Sequence, residues 1–171
     1  FALLAGLIVD LAGDDPNNLI TTLKPLLYYA ITVLIGLAFM IFIFYPIIIY
    51  SFTGISFFNF LKAIFPAQML AFSTSSSAAT LPLTMKRVEK NLNVSEEVTS
   101  FVCPLGATIN MDGTSIHQAI SAVFIAQAFG QDLTLTDQIV IVITATLSSI
   151  GAAAVPGAGL IMLVIVLGAI G

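Results

Sequence analysis

Asp112 is the residue whose chemistry is hardest to explain as packing. It is the only acid between Glu97 and Asp132, and the residues around it are largely apolar. Asn110, two positions earlier, adds a side-chain oxygen. Oxygen ligands without a cluster of histidines or cysteines suit a hard cation better than zinc or copper. The pair therefore predicts a cation site. The alternative is an aspartate that only hydrogen-bonds within a kinked structural helix.

Two polar tips, each in the middle of an apolar segment, lie on either side of this stretch. The first covers residues 73–82 and the second covers residues 148–159. Non-helical backbone at membrane depth is tolerated where it is buried in protein or lines a cavity. The N-terminus of a half-helix offers N–H groups to a carboxylate, and a C-terminus offers carbonyls to a cation. The two tips and the stretch with Asn110 and Asp112 are three breaks in apolar segments. Together they predict a site for a solute and ions near the middle of a bilayer.

The composition places these breaks in a membrane protein. Hydrophobic residues make up 58% of the sequence, charged residues make up 8%, and the mean hydropathy is +1.08. Tyr28 to Tyr50 is free of charged residues. A helix over that stretch would be roughly 35 Å long, against about 30 Å for the hydrocarbon core. We therefore expect an all-α, multi-pass membrane protein. The single cysteine, Cys103, excludes an internal disulfide framework.

The few charges predict how the segments are oriented. The connections at 13–18 and 130–132 carry only acids, whereas four basic residues bracket the first broken segment: Lys62, Lys86, Arg87 and Lys90. Basic residues favour the cytoplasmic side, so this segment enters and leaves on that side. The second broken segment has two apolar arms of about ten residues, each half a membrane span, and is predicted to enter from outside. The expected fold is transmembrane helices plus two opposed re-entrant helical hairpins.

Three motifs resemble those of the dicarboxylate/amino-acid:cation symporters, a family that includes archaeal aspartate transporters and mammalian excitatory amino-acid transporters. They are Ser75-Ser76-Ser77 with Thr80-Leu81-Pro82, Gly106 to Thr114, and Ser149-Ile150-Gly151 with Val155 to Gly159. The resemblance implies five elements of a transport domain. These are the end of the fifth helix at 1–11, the sixth helix at 19–50, the first hairpin at 57–90, the seventh helix with a broken centre at 98–129, and the second hairpin at 136–171.

The resemblance also implies a function. The protein would be a secondary active transporter and not an enzyme, carrying an acidic amino acid, glutamate or aspartate, by sodium-coupled symport. Its transport domain would move across the membrane as a body, with Na+ as the coupling ion. The implied partners are a small acidic substrate, the lipid bilayer and, at full length, further copies in a homotrimer, with no nucleic acid. The implied location is the cell membrane, which is the inner membrane in a bacterium.

By the same resemblance, substrate and sodium have separate ligands. The first tip and Thr114 of the seventh helix would hold the substrate carboxylate, and the second tip would close over it. The residues of the first group are Ser75, Ser76, Ser77 and Thr114, and those of the second are Val155, Pro156, Gly157 and Gly159. One sodium ion would lie among the carbonyls of Gly106 and Asn110, and another at the side chains of Asn110 and Asp112. A further sodium ion would use backbone groups of Thr108, Ser149, Ile150 and Ala152. Met111 would lie between the cation sites.

Some positions depart from the family pattern. The eighth helix, which supplies further ligands in the family, does not lie within this sequence, and we expect the sequence to be a piece of a longer protein. Gln118 stands where mammalian glutamate carriers have a glutamate linked to proton and potassium coupling, which argues against proton coupling through that position. His117 is an alternative proton relay, although a lone helical histidine is more often a packed or surface residue. A proton-coupled or C4-dicarboxylate symporter of the same family stays open.

Two other classes of protein fit parts of the pattern. An intramembrane aspartyl protease needs a second membrane-buried carboxylate, and Asp112 has no such partner between Glu97 and Asp132. A passive ion or anion channel can also line its path with Ser, Thr and carbonyl oxygens. Sodium-dependent accumulation of a substrate against its gradient separates a carrier from a channel.

Overall fold

Helices are the regular secondary structure of this protein. The structure, a computed structural model, describes residues 16–170, with side chains from residue 23 onward. The predicted helix end at 1–11 lies outside these residues. Within the described residues the expected all-α fold is confirmed, and the helices follow in chain order: α1 (Pro16–Phe39), α2 (Tyr45–Thr53), α3 (Phe57–Thr74), α4 (Ser77–Leu92), α5 (Glu96–Ile109), α6 (Asp112–Ala128), α7 (Leu135–Ile150) and α8 (Ala158–Gly168).

The longest helical stretch comprises α1 and α2, joined without interruption by a π-helical segment, Met40–Phe44. It lies over the region where the sequence analysis places the sixth helix, 19–50. The part from Leu23 to Thr53 is 31 residues long with a mean hydropathy of 2.6, which is long and apolar enough to cross a membrane. A single helix of this kind can supply the predicted spanning segment.

Pro46 accounts for the π-helical segment. A proline has no N–H group for the carbonyl four residues earlier, here that of Phe42, and its ring crowds that carbonyl. The N–H group of Tyr45 instead bonds to the carbonyl of Met40, five residues back. This wider turn accommodates the proline and lets the helix continue, as in other π-bulges.

The first polar tip joins α3 to α4, and these two helices pack side by side. The sequence analysis predicts a helix-poor tip over residues 73–82, but only Ser75 and Ser76 lie outside the helices. Ser75 has a left-handed backbone with φ 50°, and the hydroxyl of Ser76 accepts a hydrogen bond from the N–H group of Ala79 at 3.3 Å. The predicted extent was wrong because this N-cap starts α4 and the small residues after it continue the helix.

The middle break separates α5 from α6, the two halves of the predicted helix at 98–129. Asn110 (φ −88°, ψ 77°) and Met111 (φ −113°, ψ 48°) leave the helical conformation. Pro104 and Gly106 lie inside α5 and do not end it. The break leaves terminal carbonyls on α5 and terminal N–H groups on α6 without helical partners.

The second polar tip joins α7 to α8, and these helices also pack side by side. A capping box between Thr134 and Asp137 starts α7. The sequence analysis predicts an irregular tip over residues 148–159, but the serines at its start belong to α7, and only residues 151–157 are irregular. The entry of either helix pair into a membrane stays a prediction.

Small side chains dominate the interior. The core cluster of Ala122, Ile141, Ala145 and Val166 lies where α6, α7 and α8 meet. Small residues let helix backbones approach closely, which is the usual packing of helices in membranes. Large apolar side chains such as those on α1 lie at the surface instead. This surface suits contact with lipid or with other protein elements.

We expect Gly36→Leu to destabilise the contact between α1 and α6. A Cβ atom at Gly36 would lie 2.9 Å from Cγ2 of Ile116 on α6. A larger side chain must therefore push the helices apart, at a typical cost of about 1–3 kcal/mol. The matched control is Gly168→Leu on α8, where no described atom lies within 4 Å of the corresponding Cβ position. The thermal unfolding midpoint of the purified protein should fall for Gly36→Leu and not for the control. An equal fall in both variants would contradict the close contact.

Candidate functional site

The two polar tips touch each other. The hydroxyl of Ser76, on the first tip, donates a hydrogen bond to the carbonyl of Ala154 on the second tip at 2.9 Å. The backbone N–H group of Ala78 donates to the same carbonyl at 3.2 Å. Because Ala78 lies in the first turn of α4, this bond uses an N–H group that the helix itself leaves unpaired. The start of α4 and the second tip therefore lie side by side.

The start of α8 lies against the first two turns of α6. A Cβ atom on Gly159 would lie 3.1 Å from Cγ2 of Thr114, so this position has room for little more than a glycine. The side-chain amide of Gln118 donates to the carbonyl of Gly159 at 3.1 Å. Gln118 is 0% exposed, and its Oε1 atom has no partner among the described residues. The sequence analysis did not predict Gln118 as a contact of the second tip, although its spacing of four from Thr114 places both on one face of α6.

The end of α7 is hydrogen-bonded to α6 at Ser115, the residue after Thr114. The hydroxyls of Ser115 and Ser149 are 2.5 Å apart, and Ser149 is buried. Ala152, just beyond α7, is buried as well. Both Ser149 and Ala152 were predicted as cation ligands; the structure places Ser149 beside α6, and the N–H group of Ala152 donates to the carbonyl of Ser149. Ser115 was missed because its partner is 34 residues away in the sequence.

Asp112 begins α6 and receives hydrogen bonds from two sides. The hydroxyl of Tyr45 donates to Oδ2 of Asp112 at 2.5 Å. The amide nitrogen of Asn110, in the orientation that satisfies both groups, lies 3.2 and 3.0 Å from the two carboxylate oxygens. Asn110 thus directs its nitrogen to Asp112, which leaves its side-chain oxygen for another ligand. Tyr45, 67 residues from Asp112, carries no sequence signal for this contact.

Other predicted site residues lie nearby without joining this network. The side chains of Ser75, Ser77, Val155 and Pro156, and residue Gly157, are exposed at the tips, so their surfaces are free to meet a solute. Ile150 and Thr108 are also exposed, and the Thr108 hydroxyl donates to the carbonyl of Leu105. The carbonyl of Gly106 accepts the N–H group of Asn110 at 2.9 Å, and the hydroxyl of Thr114 lies 3.9 Å from Sδ of Met111.

The contacts bring the ends of six half-helices together. The N-termini of α4, α6 and α8 supply N–H groups and the positive ends of helix dipoles, whereas the C-termini of α3, α5 and α7 supply carbonyls and the negative ends. Over residues 16–170, no three His, Cys, Asp or Glu side chains gather as a metal site. A cation here would therefore be bound through backbone carbonyls, hydroxyls and the single carboxylate of Asp112, which is a ligand set for a hard ion.

Broken apolar helices that meet at one polar region, next to a helix long enough to span a bilayer, are typical of membrane transport proteins. Comparison with known proteins identifies which ones. The chain matches the Sodium:dicarboxylate symporter family over residues 1–171 and belongs to that family. The predicted family resemblance is thereby confirmed.

Among curated proteins, the chain is similar to several excitatory amino acid transporters. It is 43% identical over 171 residues to an "Excitatory amino acid transporter" of Caenorhabditis elegans, covering 100% of this chain and 33% of the relative. It is 46% identical over 143 residues to "Excitatory amino acid transporter 2" of Homo sapiens, covering 84% of this chain and 25% of the relative. The chain thus spans a third or less of the length of these relatives.

We expect Ser76→Ala to loosen the contact between the tips. The substitution removes both the hydrogen bond to Ala154 and the N-cap of α4, and loss of such a cap typically costs about 1 kcal/mol. Backbone amides of residues 151–158 should exchange hydrogen faster in the variant, as measured by mass spectrometry. Ser73→Ala is the matched control, since the Ser73 hydroxyl bonds to the carbonyl of Leu70 within α3. Unchanged exchange in Ser76→Ala would show that this bond does not hold the second tip.

Proposed function

We propose that the protein is a sodium-coupled symporter of an acidic amino acid, glutamate or aspartate. The observation that carries the proposal is the meeting of the two polar tips with each other and with α6, the helix that begins at Asp112, in a member of the Sodium:dicarboxylate symporter family. The names of the similar curated proteins, excitatory amino acid transporters, support the choice of substrate. Family membership supports sodium as the coupled ion.

The substrate side of the proposed site is formed by the N-terminus of α4 and by Thr114. The exposed hydroxyl and N–H groups of Ser77 lie in the first turn of α4, where the helix dipole favours a negative charge. Ser76 keeps this turn in place through its bond to Ala154. Ser75, Ser77 and Thr114 would hold the substrate carboxylate, with the backbone of residues 155–159 covering it. This arrangement suits a carboxylate better than a neutral solute.

The cation side of the proposed site is formed by carbonyls and by the Asn110–Asp112 pair. A negative charge hydrogen-bonded by Tyr45 and Asn110 stays fixed in position while it attracts a cation. Carbonyls at the ends of α5 and α7 add neutral oxygen ligands, from Gly106 and Thr108 and from Ser149, Ile150 and Ala152. Met111 lies between the two groups. Na+ matches this set because it needs several oxygen atoms and little ligand charge.

The second helix pair is proposed as the outer gate. Its tip at 151–157 has few large side chains to anchor it, and the described hydrogen bonds from the tip to the first tip and α4 are the two that the carbonyl of Ala154 accepts. Such a segment opens at low cost in free energy. We further propose that the two helix pairs enter the bilayer from opposite sides, that the domain moves as a body, and that the full-length protein is a homotrimer in the cell membrane.

Uptake by the full-length protein in proteoliposomes tests the proposed function. Radiolabelled aspartate or glutamate should accumulate against its gradient only when a sodium gradient is imposed. Equilibration without accumulation would indicate a passive channel instead, accumulation driven by a proton gradient alone would indicate a proton-coupled symporter, and preference for succinate would indicate a C4-dicarboxylate symporter. Each of these three outcomes would refute the proposal.

Asp112→Asn should weaken sodium binding much more than it affects folding. The substitution keeps the volume of the side chain and removes its charge, and two unit charges 4 Å apart attract by about 4 kcal/mol at an effective dielectric constant of 20. We expect the sodium concentration for half-maximal substrate binding to rise by at least about tenfold, which is 1.4 kcal/mol. Asp137→Asn, at the exposed capping box of α7, is the control and should change it little. Unchanged sodium dependence in Asp112→Asn would remove Asp112 from the cation site.

Ser77→Ala and Thr114→Ala should each weaken substrate binding. A hydrogen bond to a charged group is typically worth about 1.5–3 kcal/mol, so the dissociation constant should rise by roughly 10- to 100-fold. The controls are Ser73→Ala and Thr146→Ala, whose hydroxyls bond within their own helices. Calorimetry at saturating sodium measures all four variants. A change below about twofold in both Ser77→Ala and Thr114→Ala, while the parent protein binds, would place the substrate elsewhere.

A further inference from the structure

A hydrogen-bonded chain of three side chains links α1 to α6 outside the site described above. The hydroxyl of Tyr29 lies 3.0 Å from Nε2 of His117 and 2.8 Å from Oγ of Ser121. The ring of Tyr29 also packs against Phe124, with ring centroids 5.0 Å apart. All three polar groups are partly or fully buried. His117 is the single histidine of the sequence, and neither the proposed substrate site nor the proposed cation site uses it.

This chain can hold His117 in either protonation state. When Nε2 carries no hydrogen, the Tyr29 hydroxyl donates to it and accepts from Ser121. When Nε2 is protonated, it donates to Tyr29, and Tyr29 donates to Ser121, because a hydroxyl can both donate and accept. The bonds reverse direction without leaving any of these three atoms unpaired. Only a proton is gained, onto a nitrogen lone pair, and no other bond needs to form or break.

Few charged groups lie on the helices that pack against His117. On α6 the nearest acid in sequence is Asp112, five residues earlier, and α8 contains no titratable side chain. The other titratable groups on α6's neighbours and their connections are few: Lys24, Tyr28, Tyr29, Tyr45 and Tyr50 on α1 and α2, Asp132 before α7, and Asp137 at its start. Of these groups, Tyr29 is the one hydrogen-bonded to the imidazole. Among the described residues, no carboxylate is hydrogen-bonded to the imidazole.

An open cleft lies beside this chain on the side of Tyr29. Tyr29 lines a cavity of ≈ 1440 Å³ between α1, α6 and α7. Several polar side chains share its lining: Lys24, Thr32, Gln127, Gln131, Asp132 and Gln138. The lining is otherwise mainly apolar, and these polar side chains are the groups with which water in it can form hydrogen bonds. Water there would connect the Tyr29 hydroxyl with the connection at 129–134, on the side predicted to face outside.

The position of His117 on α6 connects it to the proposed site. Thr114 lies three residues before it, which is nearly one helical turn, and Gln118 follows it. Gln118 bonds to Gly159 of the second helix pair. A positive charge on His117 therefore appears within about a turn of the proposed carboxylate contact, in an apolar helix where charges interact more strongly than in water. It should attract an anionic substrate.

We propose that His117 is a proton-binding site coupled to substrate binding, so that protonation of His117 raises the affinity for an acidic amino acid. This proposal rests on the proposed function, because it needs an anionic substrate beside Thr114. Ionisable residues inside membrane proteins commonly form such proton sites. Coupling between sites is reciprocal, so substrate binding must also draw a proton onto His117.

The test measures binding of L-aspartate and L-glutamate to the full-length protein at saturating sodium, between about pH 5 and 8, where histidine titrates. The affinity of the parent protein should rise by about fivefold or more as the pH falls, which is the lower end of typical coupling between two sites. His117→Gln should bind the substrate and lose this dependence. Tyr29→Phe, which removes one hydroxyl, should shift its midpoint, whereas the exposed Tyr28→Phe should not.

A second measurement covers the case in which His117→Gln does not fold. A pH-indicator dye in weak buffer should report proton uptake when substrate is added to the parent protein, and less uptake, at the same pH, in Tyr29→Phe. The proposal is overturned if the affinity of the parent protein is independent of pH, if His117→Gln keeps the parent's pH dependence, or if no proton uptake accompanies binding. Absence of binding at every pH would instead overturn the proposed function, and the proton site with it.

Discussion

The constraint on which the rest of this structure depends is that backbone N–H and carbonyl groups must find partners where water is scarce. A continuous helix meets that need internally, as the stretch from Leu23 to Thr53 does. Each break in a helix leaves a few groups unpaired. Here the breaks are short and lie against one another, so that Ala78 pairs with Ala154 and Gln118 pairs with Gly159. Grouping the breaks confines the polar backbone to one region, and the groups that remain unpaired are available to a ligand.

The close approach of the breaks also explains which side chains lie around them. Helix ends can meet only if nothing bulky stands between them, and at Gly159 there is room for little beyond a hydrogen atom. Alanines at Ala122 and Ala145 serve the same purpose deeper in the core. Large apolar residues are displaced to the outer surface, where α1 exposes many of them. Over the described residues, small side chains thus predominate inside and many bulky apolar side chains lie outside.

The sequence was sufficient to predict the class of the fold and the positions of the breaks, because runs of apolar residues and their interruptions are local properties. The lengths predicted for both tips were too long. Serine and alanine are acceptable in helices, and a single cap such as Ser76 decides where the helix starts. The sequence predicted a pair of polar side chains at Asn110 and Asp112, whose contrast with their neighbours is visible in sequence, and the structure places the two in hydrogen-bond contact; their role as cation ligands stays a prediction. It missed Tyr45 and Ser115, because their partners are brought close only by packing between distant segments.

The π-helical segment Met40–Phe44 sets how the two halves of the long helix are rotated about its axis relative to each other. An α-helix advances by about 100° per residue, and a π-bulge accommodates an extra residue within its turns. The two halves of the helix are therefore offset in rotation relative to an unbroken α-helix. The N-terminal half, α1, presents Tyr29 and Gly36 to α6. The C-terminal half, α2, presents Tyr45 to Asp112. Loss of a single residue here would rotate one half of the helix relative to the other, so that Tyr29 and Tyr45 could not both keep their partners. The length of this segment is therefore as much a part of the site as any side chain.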